Sequence, residues 1–187
     1  MNKAARASAP RKKPQALIAH GEVTVNILRS FYMNEEITQG EAFCLEYREE
    51  IGKLMRYLPW LSSVSGKDVA KAYDGSMGKS DISFPVYDGT LMNFVKELQK
   101  TKFMDKNYPY AYTKRHIKTP EDEVKYIEKA WLNDVDYLKA ILTKYTMEGM
   151  RKSTRWSEAV DRGLYKMVIE KLYEILMYYT KDKTQQI

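Results

Sequence analysis

Histidine and cysteine, two residue types that often carry out catalysis, are few in this sequence. Its histidines are His20 and His116, its single cysteine is Cys44, and none of these has the short spacing typical of zinc ligands. The stretch "DGSMGKS", residues 74–80, contains Gly-Lys-Ser but lacks the earlier glycine and the preceding strand of a phosphate-binding loop. We therefore assign no catalytic or metal-binding residue and expect no cofactor.

A basic, tyrosine-rich segment over residues 99–118 is the main candidate for binding chemistry. It carries six cations against one acid, Asp105, with aromatic residues between them. Cations neutralise phosphates and aromatic faces stack on unpaired bases, so the segment suits a nucleic acid. The alternative is a loop whose tyrosines anchor it to the protein while its lysines stay in water. The candidate binding residues are Lys106, Tyr108, Tyr110, Tyr112, Lys114, Arg115 and Lys118.

The N-terminal segment, residues 1–21, is a second basic element. It has five cations and no acid, and its prolines and small residues predict a flexible arm. The formal net charge of the chain is +6, of which the arm carries +5 and the remainder +1. Charge that could attract a nucleic acid is therefore local. The candidate binding residues of the arm are Arg6, Arg11, Lys12 and Lys13.

Composition suggests one folded domain, residues 22–187, behind the arm. Hydrophobic residues make up 44% of the chain and charged residues 30%, as in ordinary globular proteins. No apolar run approaches the roughly 18 residues of a membrane span, so we expect no membrane association. Cys44 cannot form an internal disulfide and is predicted to be buried. We expect a cytoplasmic protein, in a bacterial cell or an infected bacterial host.

Residues that commonly cap the N-terminus of a helix divide this domain into predicted helices. Thr38 and Glu41 have the spacing of a capping box, and an apolar stripe follows until Pro59, where we expect the helix to stop. Asp88 can cap a second helix. Thr119 can cap a third, because a proline and two acids follow it directly.

Weaker patterns fill the rest of the domain. Residues 22–33 have an apolar spacing that fits a short helix, and another helix is predicted to begin at Asn133 or Asp134. Small polar residues predict a loop over 62–80. The alternation in "ISFPVY", residues 82–87, predicts an edge strand or extended segment.

The stretch "RWSEAVDRGLYKMVIEKLYEILMYY", residues 155–179, has the clearest helical order. Ser153 can cap a short helix containing Trp156, and Gly163 stands where a left-handed residue ends that helix. An apolar stripe beginning at Leu164 predicts the last helix. We interpret Trp156 as a core residue, not as part of a ligand site. The predicted fold is mainly α: a helical bundle with a short extended segment and a basic arm.

Four quoted segments carry a resemblance to a known family. They are "LMRYLPWL", "FPVYDGTLMNFVKELQKTKFMDKNY", "LKAILTKYTMEG" and "RWSEAVDRGLYKMVIEKL", in that order along the chain. Together, over roughly residues 54–176, they resemble a bacterial and phage domain family of unknown function. The resemblance implies a small, mainly helical domain and a phage or mobile-element context. Residues 150–154, "MRKST", depart from the family pattern, which has Arg-Phe-Cys and a glycine before the tryptophan.

These observations lead to three functional hypotheses. The first is a non-enzymatic binding protein that acts on a nucleic acid or nucleoprotein complex, for example as an inhibitor or accessory of a host defence system that targets nucleic acids. The second is a scaffold for protein–protein interaction without direct nucleic-acid contact. The third is a small hydrolase or nucleotide-modifying enzyme.

Overall fold

Helices dominate the computed structural model, which describes residues 37–72 and 85–181. The mainly α fold is confirmed. The basic arm, its boundary at residue 22 and the helix predicted for residues 22–33 lie outside the described residues. The elements are α1 (Gln39–Met55), α2 (Leu58–Ser63), α3 (Gly66–Val69), β1 (Ala70–Ala72), β2 (Pro85–Tyr87), α4 (Gly89–Lys100), α5 (Tyr108–Lys114), α6 (Pro120–Lys129), a 3₁₀ turn (Leu132–Asp134), α7 (Val135–Arg151), α8 (Thr154–Asp161) and α9 (Leu164–Lys181).

The predicted capping box begins helix α1. The Thr38 hydroxyl accepts from the backbone N–H of Glu41 at 3.3 Å, and the Glu41 carboxylate accepts from the backbone N–H of Thr38 at 3.0 Å. The prediction that Pro59 stops this helix is wrong, because α1 already ends at Met55. Pro59 instead lies in the first turn of α2, where a missing N–H costs no helical hydrogen bond.

The loop predicted for residues 62–80 is wrong for its described part. Residues 62–72 include the end of α2, the short helix α3 and strand β1. Val69 is fully buried, and the backbone N–H of Gly66 donates to Asp161 Oδ1 at 2.6 Å, so tertiary contacts order this segment. The predicted extended segment contains β2, which pairs antiparallel with β1.

The start signals of α4 and α6 are confirmed. Asp88 Oδ1 accepts from the backbone N–H groups of Thr90 and Leu91 at 2.8 and 2.9 Å. Thr119 and Asp122 form a second capping box at the start of α6. These side chains satisfy N–H groups that the first helical turn leaves without partners.

Helix α9 lies at the centre of the core and contacts α1, α2, α6, α7 and α8. Its apolar stripe is buried, as predicted, and Cys44 on α1 and Trp156 on α8 are buried as well. Gly163 has a φ of +66°, a left-handed conformation that favours glycine. Ser153 precedes α8 as predicted, but its side chain makes no capping hydrogen bond. No helix in the described part of the chain is long and apolar enough to cross a lipid bilayer.

Candidate nucleic-acid interface

Most of the candidate binding residues lie on or next to helix α5. No helix was predicted within residues 99–118, and the alternative interpretation of a loop is corrected by the helix at Tyr108–Lys114. Pro109 lies in its first turn, and the helix packs against α7. The Tyr137 hydroxyl on α7 donates to the carbonyl of Ala111, so α5 is held by a side chain that is distant in sequence.

Tyr112 anchors α5 to the protein. Its hydroxyl donates to Glu123 Oε1 at 2.7 Å, and the ammonium of Lys144 lies 4.5 Å from the centre of its ring. Burial of the hydroxyl, together with the neighbouring Glu123 charge, raises the pKa of Tyr112 above its ordinary value. Tyr112 therefore has the position expected from the alternative interpretation of residues 99–118, in which tyrosines anchor the segment to the protein.

The Glu123 carboxylate is the centre of a buried polar cluster. Glu123 is fully buried on α6, and besides the Tyr112 hydroxyl it accepts from Lys144 Nζ at 2.7 Å and from the Tyr145 hydroxyl at 2.8 Å. A buried carboxylate without partners is very unfavourable, and these three donors compensate its lost hydration. The same burial raises the pKa of Tyr145. The cluster therefore joins α5, α6 and α7.

Sequence reasoning missed this cluster. The two acids assigned to the positive end of the helix dipole were Glu121 and Asp122, and no role was predicted for Glu123. Its spacing held a signal, however, because Glu123 precedes the buried Ile127 by four residues and so lies on the same side of α6. An acid within an apolar stripe requires buried partners.

Arg115 lies just after α5 and is already paired. Its guanidinium contacts Asp134 at 3.0 Å and lies 4.5 Å from the centre of the Tyr137 ring. The Tyr137 ring in turn stacks on that of Tyr126, with centroids 5.4 Å apart and planes 10° apart. Asp134 offsets the charge of Arg115, which therefore adds less to the local positive charge than the exposed lysines do.

The remaining candidates form what we call the basic face: Lys106, Tyr110, Lys114 and Lys118. All four are exposed, and Tyr110 is 69% exposed, the highest value among the described large hydrophobic side chains. Tyr110 and Lys114 are four residues apart on α5 and thus lie on one side of it. Within residues 37–72 and 85–181, no ion pair involves these three lysines.

The other predicted binding residues are not part of this face. Tyr108 is half-buried at the start of α5. The arm residues Arg6, Arg11, Lys12 and Lys13 lie outside the described residues. The basic face is therefore what the described structure contributes to the predicted interface.

Two cavities that sequence reasoning missed open on the described surface. One, of about 310 Å³, is lined by His116, which lies between Lys114 and Lys118 in sequence, and by Asp122, Lys125, Tyr126 and Lys129. The other, of about 360 Å³, lies between α1 and the start of α7, and two carboxylates, Glu46 and Asp136, are in its wall. In the described part of the chain, His, Cys, Asp and Glu side chains form no group of three that could hold a metal ion.

Comparison of the sequence with protein-family models, with curated proteins and with solved structures finds no match. The resemblance to a bacterial and phage domain family therefore stays a prediction.

Proposed function

We propose that this protein binds single-stranded nucleic acid through the basic face, without catalysing a reaction. The main support is Tyr110, an aromatic ring 69% exposed to solvent on the same side of α5 as Lys114. Lys106, Lys114 and Lys118 are exposed and, within the described part of the chain, form no ion pair. A large exposed ring on a short helix contributes little to the core, whereas it offers a flat surface for an unpaired base. The lysines beside it would neutralise the phosphates of the same strand.

The anchoring of α5 supports the same proposal. Tyr112 fixes one side of the helix to Glu123, and Tyr137 fixes its backbone at Ala111. A rigid support places Tyr110 and Lys114 before the ligand arrives, which lowers the entropy lost on binding. The arm, with its five cations, would add further phosphate contacts.

The test is a fluorescence anisotropy titration of a labelled single-stranded oligonucleotide, as DNA and as RNA, over a series of salt concentrations. Tyr110→Ala is expected to weaken binding by roughly 1–3 kcal/mol, the usual value of one base–aromatic stack, without loss of thermal stability. Tyr173→Ala is the matched control, because Tyr173 is an exposed tyrosine on α9. Absence of binding by the wild type at low salt would refute the proposal.

The resemblance of residues 54–176 supports a more specific form of this function. In a phage or mobile-element context, the protein would act on a host nucleic-acid-targeting complex as an inhibitor or accessory. Affinity capture from infected cells, with and without nuclease treatment, tests this form. Partners that are lost on nuclease treatment support a nucleic-acid-dependent association, and partners that persist contradict it.

A second candidate function, a protein-binding scaffold, has support from the end of α7. Met147 and Met150 are 41% and 58% exposed there, and flexible methionine side chains suit adaptable protein interfaces. Met147→Glu with Met150→Glu should abolish capture of a nuclease-resistant partner if this surface is the site. The same variant should leave oligonucleotide binding unchanged.

A further inference from the structure

The cavity of about 310 Å³ is lined by more positive than negative side chains, as expected for an anion-binding site. Lys125 and Lys129 lie one turn apart on α6, so both side chains lie on the same side of the helix and line the cavity, as does His116. The cavity volume of about 310 Å³ is at the lower end of the roughly 300–1,000 Å³ usual for small-ligand sites. A cavity of this volume suits a single phosphate with part of its nucleotide.

Among the described residues that line this cavity, Asp122 is the one carboxylate, and backbone N–H groups already bind it. It accepts from the backbone N–H groups of Lys118 at 3.2 Å and Thr119 at 3.0 Å. These hydrogen bonds lower the pKa of Asp122, which stays an anion and fixes the segment that closes the cavity. The two lysines outnumber this single negative charge.

The other lining residues are held by backbone conformation and by tertiary contacts. His116 has a φ of 57°, a left-handed conformation that is uncommon for residues other than glycine. The Tyr126 hydroxyl donates to the carbonyl of Arg115 at 3.3 Å, and the Tyr126 ring packs on Tyr137. These contacts connect the segment that follows α5 to Tyr126 of α6, and both line the cavity.

The cavity is continuous with the basic face along the chain. Lys114 and Lys118 belong to the face, and His116 lies between them and lines the cavity. A strand whose phosphates contact both Lys114 and Lys118 would therefore pass next to His116 and the cavity.

We propose that this cavity binds the terminal phosphate of a single strand that lies on the basic face, an inference that rests on the proposed function. A terminal phosphate monoester carries about −1.5 to −2 charges near neutral pH, more than the single charge of an internal phosphate. The ammonium groups of Lys125 and Lys129 supply two positive charges for that phosphate, and the His116 ring supplies a polar group at the same site. Tyr126 offers the terminal sugar or base a flat wall.

The test compares three oligonucleotides of one sequence: one with a 5′-phosphate, one with a 3′-phosphate and one with neither. We expect the wild type to bind one phosphorylated form about tenfold more tightly than the unphosphorylated form, a difference of about 1.4 kcal/mol. The ratio of the two dissociation constants is the readout, because it cancels general effects of net charge.

Two double variants with the same loss of charge separate the cavity from the face. Lys125→Gln with Lys129→Gln should bring the ratio close to one. Lys106→Gln with Lys114→Gln should weaken binding of all three oligonucleotides and keep the ratio. Thermal melting checks that both variants fold.

The outcomes distinguish failure of this inference from failure of the proposed function. Equal wild-type affinity for all three oligonucleotides overturns the terminal-phosphate site and leaves binding by the basic face intact. A ratio that survives loss of Lys125 and Lys129 also overturns the site. If the wild type binds none of the three, both proposals fail.

Discussion

The phenol of Tyr112 donates a hydrogen bond to the fully buried carboxylate of Glu123, 2.7 Å away, and so fastens α5 to α6. The opposite side of α5 presents Tyr110 to solvent. Tyr112 is thus an anchor, while Tyr110, two residues earlier, is exposed and able to contact a ligand. The two roles predict different consequences of mutation.

Glu123→Ala should destabilise the fold strongly. It leaves the hydroxyls of Tyr112 and Tyr145 and the ammonium of Lys144 without their acceptor. We expect a loss of roughly 3 kcal/mol, the lower end for breaking a buried charge pair, because the Lys144 side chain is 20% exposed and can turn towards water. Urea denaturation measures it, with Glu128→Ala on the exposed side of α6 as control. A loss below about 1 kcal/mol would contradict a central role for the cluster.

Tyr112→Phe should change how stability depends on alkaline pH. The raised pKa means that folded Tyr112 keeps its proton at a pH where the unfolded chain, with a tyrosine pKa of about 10, releases it. The contribution of Tyr112 to the free energy of unfolding is therefore fully present below about pH 10 and is lost as the pH rises further.

Removal of this hydroxyl should make that fall less steep by up to about 1.4 kcal/mol per pH unit, the value for one proton. Denaturation at a series of pH values between about 9 and 11 measures the slope. Tyr110→Phe, which removes an exposed hydroxyl from the same helix, is the comparison. Identical slopes for Tyr112→Phe and wild type would show that Tyr112 does not contribute.

Trp156→Ala should destabilise the protein without affecting nucleic-acid binding. Trp156 is 3% exposed, and its ring meets that of Tyr87 edge to face at 5.2 Å. Emptying such a site costs about 3–5 kcal/mol. Thermal melting gives the stability, and the oligonucleotide titration at a temperature where the variant is folded gives the affinity. Loss of affinity with an unchanged melting temperature would place a binding site at Trp156.

Two helical glycines should respond in opposite directions to alanine. Gly149 on α7 faces the Trp156 indole, and a Cβ there would overlap the ring, so Gly149→Ala should destabilise. Gly52 on α1 has nothing within 4 Å of an added Cβ, so Gly52→Ala should stabilise by up to about 1 kcal/mol through helix propensity. Urea denaturation of both variants measures the difference. Equal effects would mean that Trp156 does not pack on Gly149.

Lys114→Gln should reduce the salt dependence of oligonucleotide binding. Each phosphate contact that is lost lowers the slope of log affinity against log salt by about 0.7 for a single strand. Lys67→Gln on α3 removes the same charge from an exposed position in a different element and should keep the wild-type slope. The slope comes from titrations at four or more salt concentrations. Equal slopes for Lys114→Gln and wild type would remove Lys114 from the interface.

Local signals in the sequence were enough to place several helix ends. The capping box at Thr38, the Asp88 cap and the left-handed Gly163 all depend on residues within a few positions of one another. The apolar stripe of α9 likewise follows from helical spacing alone. Short-range hydrogen bonds and side-chain periodicity are properties of the chain itself, so they can be predicted before the fold is known.

Tertiary structure decided which residues of the basic segment 99–118 face the protein and which face solvent. Tyr112 is buried against Glu123, 11 residues later, and Glu123 binds Lys144 and Tyr145, which are 21 and 22 residues later. In sequence Tyr110 and Tyr112 look equivalent. Only the packing of α5 against α6 and α7 makes one an anchor and the other a surface, because burial depends on partners brought together by the fold.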